Sequence, residues 1–173
     1  MDTANLLGLV NHQAETTVLS AMRLNTGAAI ELAQLLDPSD FYDTRRSMVF
    51  EAMRQILLGI EPLDDANLLA AIARIQRERK SNVYVDQDYL TQFADGDMAR
   101  AIAYAHNVKR LAWLRGAGEF AYWLVDELQT KPDPDDLFAA AQERWQQLQP
   151  QHAESRFVYG WDTIKLHDDM VRE

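Results

Sequence analysis

The side chains able to do chemistry are few and scattered. Four histidines, His12, His106, His152 and His167, lie far apart in the chain. His12 and Glu15 stand three residues apart, one helical turn, which is a spacing some metal sites use. No further ligand stands near them in sequence, so the plainer reading is a helix-start residue and a charge on one face. His167-Asp168-Asp169 offers the pairing of a metal phosphohydrolase but has no partner motif, and reads as a solvated tail. The chain has no cysteine, which excludes a disulfide framework, cysteine-ligated zinc and thiol catalysis. No glycine opens a phosphate-binding loop of the form G-x-x-x-x-G-K-[ST], and there is no G-x-S-x-G elbow and no H-E-x-x-H. Without that loop there is no nest of backbone N–H groups with a lysine to hold a nucleotide's phosphates.

Charge narrows the classes further. The 173 residues carry 27 acidic and 17 basic side chains, a formal net charge of −10 at pH 7. A surface of that sign repels phosphate, so tight nucleic-acid binding by the surface as a whole is not expected. One basic run, Arg74, Arg77, Arg79 and Lys80, has the composition to touch phosphate. Its place at a helix end explains it better, as compensation of the helix dipole. No apolar run approaches the roughly 18 residues of a membrane span, and Met1-Asp2-Thr3-Ala4-Asn5 lacks the positive charge of a signal peptide. The expectation is a soluble, cytoplasmic protein.

The elements that position these residues read as helices. Only seven glycines and five prolines interrupt the chain, and apolar residues recur at spacings of three and four. A first helix is predicted from about His12 to Leu24, broken by Thr26-Gly27, and a second from about Ala28 to Leu36. Asp37-Pro38-Ser39-Asp40 reads as a loop followed by the apolar anchors Phe41 and Tyr42. A third helix is predicted from about Asp43 to Leu58, stopped by Gly59. A fourth begins at a cap of Asp64 or Asp65 and buries Leu68, Leu69, Ile72 and Ile75. A short fifth holds Tyr89, Leu90 and Phe93 and ends at Asp95-Gly96-Asp97. Asp97 to Leu128 contains no proline and reads as one helix about 45 Å long. Asp133-Pro134 is a strong start signal for a last helix carrying Phe138, Ala141, Trp145 and Leu148.

The last two helices form a predicted antiparallel hairpin. Tyr104, Val108, Leu111, Leu114, Ala121, Val125 and Leu128 already fill one face of the long helix. Trp113, Phe120 and Trp123 widen the apolar arc beyond what one partner helix covers. A helix buried in a larger core would explain this, but an oligomer interface explains it better, since tryptophan and tyrosine are enriched there. Leu111, Trp113, Phe120, Trp123, Phe138 and Trp145 are therefore the candidate interface residues.

Several of these segments resemble one family. His12-Gln13-Ala14-Glu15-Thr16-Thr17-Val18-Leu19 resembles the opening H-x-x-A/E-E-x-x-V-L stretch of the N-terminal domain of DnaB-type replicative DNA helicases. Leu35-Leu36-Asp37-Pro38-Ser39-Asp40-Phe41-Tyr42 is similar to that family's L-x-P-E-D-F-Y. Met48-Val49-Phe50-Glu51-Ala52-Met53 is similar to x-I-F-x-A-M, and Gly59-Ile60-Glu61-Pro62-Leu63-Asp64 to G-x-P-I-D. Tyr89-Leu90, Tyr104-Ala105-x-x-Val108-Lys109-Arg110 and Asp136-Leu137-x-x-x-Ala141-Gln142-Glu143 follow in family order. The likeness covers about residues 11–149. The stretch from Asp40-Phe41-Tyr42 to Met53 is its most specific part, because the spacing is kept without a gap. The usual His-Arg pair before I-F is Arg46-Ser47 here, the Gly-Gly before Tyr-Leu is replaced by Val85-Asp86-Gln87-Asp88, and the Pro-Ser before the long helix is missing. These departures suggest a divergent, phage- or plasmid-like branch.

The resemblance implies an all-α fold, a small globular head followed by a long helical hairpin. It divides the chain into a tail over 1–10, a head over 11–96, a hairpin over 97–149 and a linker over 150–173 towards an ATPase domain. Asp162 to Val171 would be the linker helix. Glu15, Asp40, Phe41, Tyr42, Phe50 and Met53 are the family-motif positions, and their implied role is structural. The implied function is a non-catalytic collar in DNA replication. Hairpins pair into dimers, dimers form a ring, and the collar engages primase or a helicase loader. No cofactor is expected in this chain; ATP and Mg²⁺ would belong to the parent helicase. A stand-alone helical adaptor that binds a replication partner is the alternative. A metal-dependent hydrolase using His12, Glu15 or His167-Asp168 is a third.

Overall fold

The computed structural model describes residues 8–94 and 98–148. Among them are seven α-helices and no strand: α1 (His12–Leu24), α2 (Thr26–Leu35), α3 (Thr44–Leu58), α4 (Asp65–Arg79), α5 (Gln87–Thr91), α6 (Ala101–Gln129) and α7 (Pro134–Leu148). Single 3₁₀ turns occupy Pro38–Asp40 and Met98–Arg100. The all-α expectation holds.

Short polar side chains set the helix starts. The side chains of Asn11, Asn25, Asp64 and Asp86 each accept from a backbone N–H one turn on, and Asp43 accepts from two. Each satisfies donors that the first turn leaves without partners. Asn25 both ends α1, its N–H bonding Ala21 O, and caps α2. The break therefore falls at Asn25. Thr26-Gly27, read from sequence as the breaker, begins α2, because a side-chain cap outweighs one glycine in a first turn. Asp43 is the cap of α3 rather than its first residue, and Asp64, not Asp65, caps α4. Asp133 Oδ1 accepts from Asp135 N at 2.9 Å, and Pro134 opens α7 as read. Asp97, taken as the start of the long helix, lies outside the described residues, as does the expected stop at Asp95-Gly96-Asp97. The helix itself begins at Ala101, after a 3₁₀ turn.

The chain divides into two compact units, 1–119 and 120–173. The division falls inside α6. The cause is packing: Ala101, Ala105 and Val108 of α6 are buried in the core of the first unit. Around them lie Val18, Leu19 and Met22 from α1, Phe50, Met53 and Ile56 from α3, and Leu68, Ile72 and Ile75 from α4. Leu90 and Phe93 close it beside α5. Small residues on α6 let its backbone approach closely, while aromatic and branched residues from α1, α3 and α4 fill the volume.

In the second unit, aromatic rings hold the helices together. Phe120 stacks with Trp123 (centroids 5.8 Å apart) and with Trp145 of α7 (5.4 Å), and the Arg144 guanidinium lies 4.8 Å from the centre of the Trp123 ring. A contact between Phe120 and Trp145 requires α7 to fold back along α6 as a hairpin. No residue of α7 is buried.

Candidate functional site

The motif residues converge on one clasp. Glu15 projects from the first turn of α1 and is only 2% exposed. Its Oε1 accepts from the backbone N–H of Tyr42 at 2.6 Å, and its Oε2 accepts from Arg46 Nη1 at 3.1 Å. The same Arg46 nitrogen lies 2.8 Å from His12 Nδ1 and 3.8 Å from Asp43 Oδ2. One carboxylate thus ties α1 to the loop before α3 and to α3 itself. Burial pushes the Glu15 carboxyl above the ordinary glutamate range, and the Arg46 hydrogen bond and charge pull it part of the way back.

A second set of cations pins the same loop from α6. Arg115 donates to the carbonyls of Leu9 at 2.9 Å and Asp40 at 2.6 Å, and its guanidinium lies 5.7 Å from the centre of the Tyr42 ring. Lys109 Nζ donates to Leu35 O at 2.6 Å. Asn11 Nδ2 donates to Asn107 Oδ1 at 3.1 Å. Asp40 is itself half-buried. Desolvation raises its carboxyl above the ordinary aspartate range, against the lowering effect of its bond from Asp37 N–H and the nearby Lys109 charge. Phe41 packs on Phe50 with centroids 4.9 Å apart, and Met53 is fully buried. The structure therefore brings Glu15, Asp40, Phe41, Tyr42, Phe50 and Met53 together as one packed lock between α1, α3 and α6.

This arrangement is built to hold shape. Both Glu15 oxygens are already taken, so a metal held by His12 and Glu15 would have to displace the guanidinium. Among the described residues no group of three or more His, Asp or Glu side chains is placed to bind an ion. His152 and the His167-Asp168-Asp169 stretch lie outside the described residues. Sequence reasoning had Glu15 as a charge on a helix face; its burial and its partner Arg46 were missed, as was Arg115. The only local signal for Arg115 is a cation next to an apolar stripe.

The candidate interface residues part company. Leu111 is buried in the first unit; Phe120, Trp123 and Trp145 form a ring cluster in the second, in which Trp145 is still 41% exposed. Trp113 is 43% exposed and Phe138 71% exposed. Tyr122, Val125 and Leu128, which were not singled out as interface residues, are also exposed on α6. The basic run is drawn partly onto α3: Arg74 donates to the Gln55 amide, Arg79 pairs with Glu51, and Arg77 bonds the Ala73 carbonyl. No helix among the described residues is long and apolar enough to cross a membrane.

Comparison with known proteins agrees with this geometry. Residues 9–110 match the family model described as the DnaB-like helicase N terminal domain. Over 128 residues the chain is 28% identical to the replicative DNA helicase DnaB of Geobacillus stearothermophilus, covering 72% of this chain and 27% of that one. The chain thus spans about a quarter of that relative's length. The crystal structure of the N-terminal domain of DnaB helicase from Mycobacterium tuberculosis superposes with a TM-score of 0.68 at 25% identity, over 78% of this chain and 96% of that one. With the family model covering more than half of its length, the chain belongs to the family of DnaB-like helicase N-terminal domains.

Proposed function

We propose that this chain is the assembly part of a DnaB-like replicative helicase. Its head supplies a rigid docking body and its hairpin joins it to a second copy. Paired copies build a collar that engages primase or a helicase loader. ATP and Mg²⁺ serve the motor domain of the parent helicase and have no role in this part. The observation that carries the reading is the outer surface of the second unit. Tyr122, Val125 and Leu128 on α6 and Phe138 on α7 are exposed, and no residue of α7 is buried. Soluble monomers rarely leave large apolar patches to water. A two-fold pairing of hairpins would cover the same patch on both copies at once.

The seam residues follow from the exposures. Trp113 and Phe138 keep the role read from sequence. Phe120 and Trp123 support the hairpin from inside, Trp145 meets Phe120 with part of its ring still exposed, and Val125 and Leu128 join the contact. Sedimentation velocity over a concentration series tests this. Wild-type protein is expected to dimerise at tens of micromolar. Val125→Asp is expected to stay helical by circular dichroism and sediment as a monomer, because pairing would bury an unpaired charge. Wild-type protein that remains monomeric throughout the series defeats the proposal.

A further inference from the structure

The middle of α6 changes character over a few residues. Ala101, Ala105, Val108 and Leu111 are buried, and Leu111 is the last buried residue of the helix. One turn on, Arg115 fastens α6 to the carbonyls of Leu9 and Asp40. The ring cluster of the second unit begins at Phe120. Between these two anchors stand Gly116, Ala117, Gly118 and Glu119. The first three carry nothing larger than a methyl group, so they contribute almost no packing. The division between the two compact units falls at the same place, after residue 119.

Space and backbone conformation do not call for glycine here. At Gly118 a Cβ would meet nothing within 4 Å, and the residue lies within regular helix with no left-handed φ to require it. What glycine supplies instead is conformational freedom. Two glycines in a helix interior make local opening about five- to thirtyfold more frequent than two alanines would. Gly118 and Glu119 are exposed, so water can take up the backbone groups that opening frees. We infer that α6 carries a joint at residues 116–119, where its hydrogen bonds open while the head on one side and the aromatic cluster on the other stay folded. Arg115, bound to two carbonyls, is the fixed edge on the side of the head. Phe120, held by Trp123 and Trp145, is the edge on the side of the hairpin. The second unit turns about these residues without loss of packing in either unit. The joint belongs to a single copy and stands whether or not copies pair. In a paired assembly it lets a hairpin keep its contact while the head re-aims.

Hydrogen exchange read by mass spectrometry tests the joint on the whole chain. In wild-type protein the amides of residues 116–121 are expected to exchange faster than those on both sides, in 104–111 and in 122–128. Gly118→Ala adds a methyl group that meets nothing, and should slow exchange at 116–121 about two- to fivefold. Gly116→Ala/Gly118→Ala should slow it about five- to thirtyfold, with 104–111 unchanged. The chain has no cysteine, so Asn82→Cys and Asp126→Cys give two spin labels, one in each unit. Measured in an excess of unlabelled protein, their distance distribution should be broad in wild type and narrower once both alanines are present. Protection that falls steadily from Leu111 to Gln129 is fraying from the hairpin tip and overturns the joint. Exchange at 116–121 that Gly118→Ala leaves unchanged overturns it too. So does a distance distribution that is already narrow in wild type, or one that the two alanines leave as broad.

Discussion

Replacing Glu15 with alanine removes a side chain that serves two partners at once. The backbone N–H of Tyr42 loses its acceptor, and a buried donor left without one costs about 1–3 kcal/mol. Arg46 loses the oxygen at 3.1 Å but keeps His12 at 2.8 Å and Asp43 at 3.8 Å, so its charge is not stranded. Removing one partner of a buried ion pair typically costs about 3–5 kcal/mol, and the remaining contacts of Arg46 place this case at about 3 kcal/mol. For a chain of this size that is a fall in Tm of roughly 6–12 °C. Circular dichroism melts and urea unfolding of Glu15→Ala, Arg46→Met and the double variant would measure it. The double-mutant cycle should return a coupling of about 1–3 kcal/mol, because the second substitution removes a cation the first has already deprived of its partner. Additive effects, or a Glu15→Ala loss under about 1 kcal/mol, would show that the clasp is a surface pair and not a structural lock.

Three further outcomes follow from particular contacts. Glu15 and Asp40 both titrate above their ordinary ranges in the folded chain, so the unfolded chain ionises first as pH rises. Their contribution to stability is present below the ordinary carboxylate range and falls as pH rises through the raised values; urea midpoints across pH 4–7 should fall less steeply for Glu15→Gln than for wild type, and parallel curves would contradict this. At Gly118 a Cβ would meet nothing within 4 Å, so Gly118→Ala should stabilise α6 by about 0.5–1 kcal/mol, seen as a higher Tm; a lower Tm would mean that another molecule packs there. Millimolar Zn²⁺ or Mg²⁺ should leave the melt unmoved, because both Glu15 oxygens are occupied; a ligand at 100 times its Kd would add about 2.7 kcal/mol, a shift the same melt would register.

Much of the local structure was legible because it depends on near neighbours. His12–Leu24 was bounded correctly, and the ends of the third, fourth and last helices fell within a residue or so, because caps such as Asp43, Asp64 and Asp133 act over three positions. Thr26-Gly27 misled because Asn25 can end one helix and begin the next, a double role that no propensity encodes. The motif positions were legible as a set with an implied structural role, but the contacts by which they act were not. Glu15 and Arg46 are 31 residues apart, and Arg115 is 75 residues from the carbonyl of Asp40 that it holds.

The hairpin shows the same division most clearly. Period and composition alone determined that α6 and α7 exist, that a Pro-rich turn joins them, and that their apolar arc is too wide for one helix pair. Which aromatic residues turn inward was decided only by the tertiary fold. Phe120, Trp123 and Trp145 find one another with Trp145 still partly exposed, Leu111 is buried, and Val125, Leu128 and Phe138 remain outside. Apolar residues on a helix carry no label for the surface that will cover them. Sequence spacing fixes the angle at which a side chain leaves its own axis, while burial depends on where the other axes lie, and only long-range packing sets those positions.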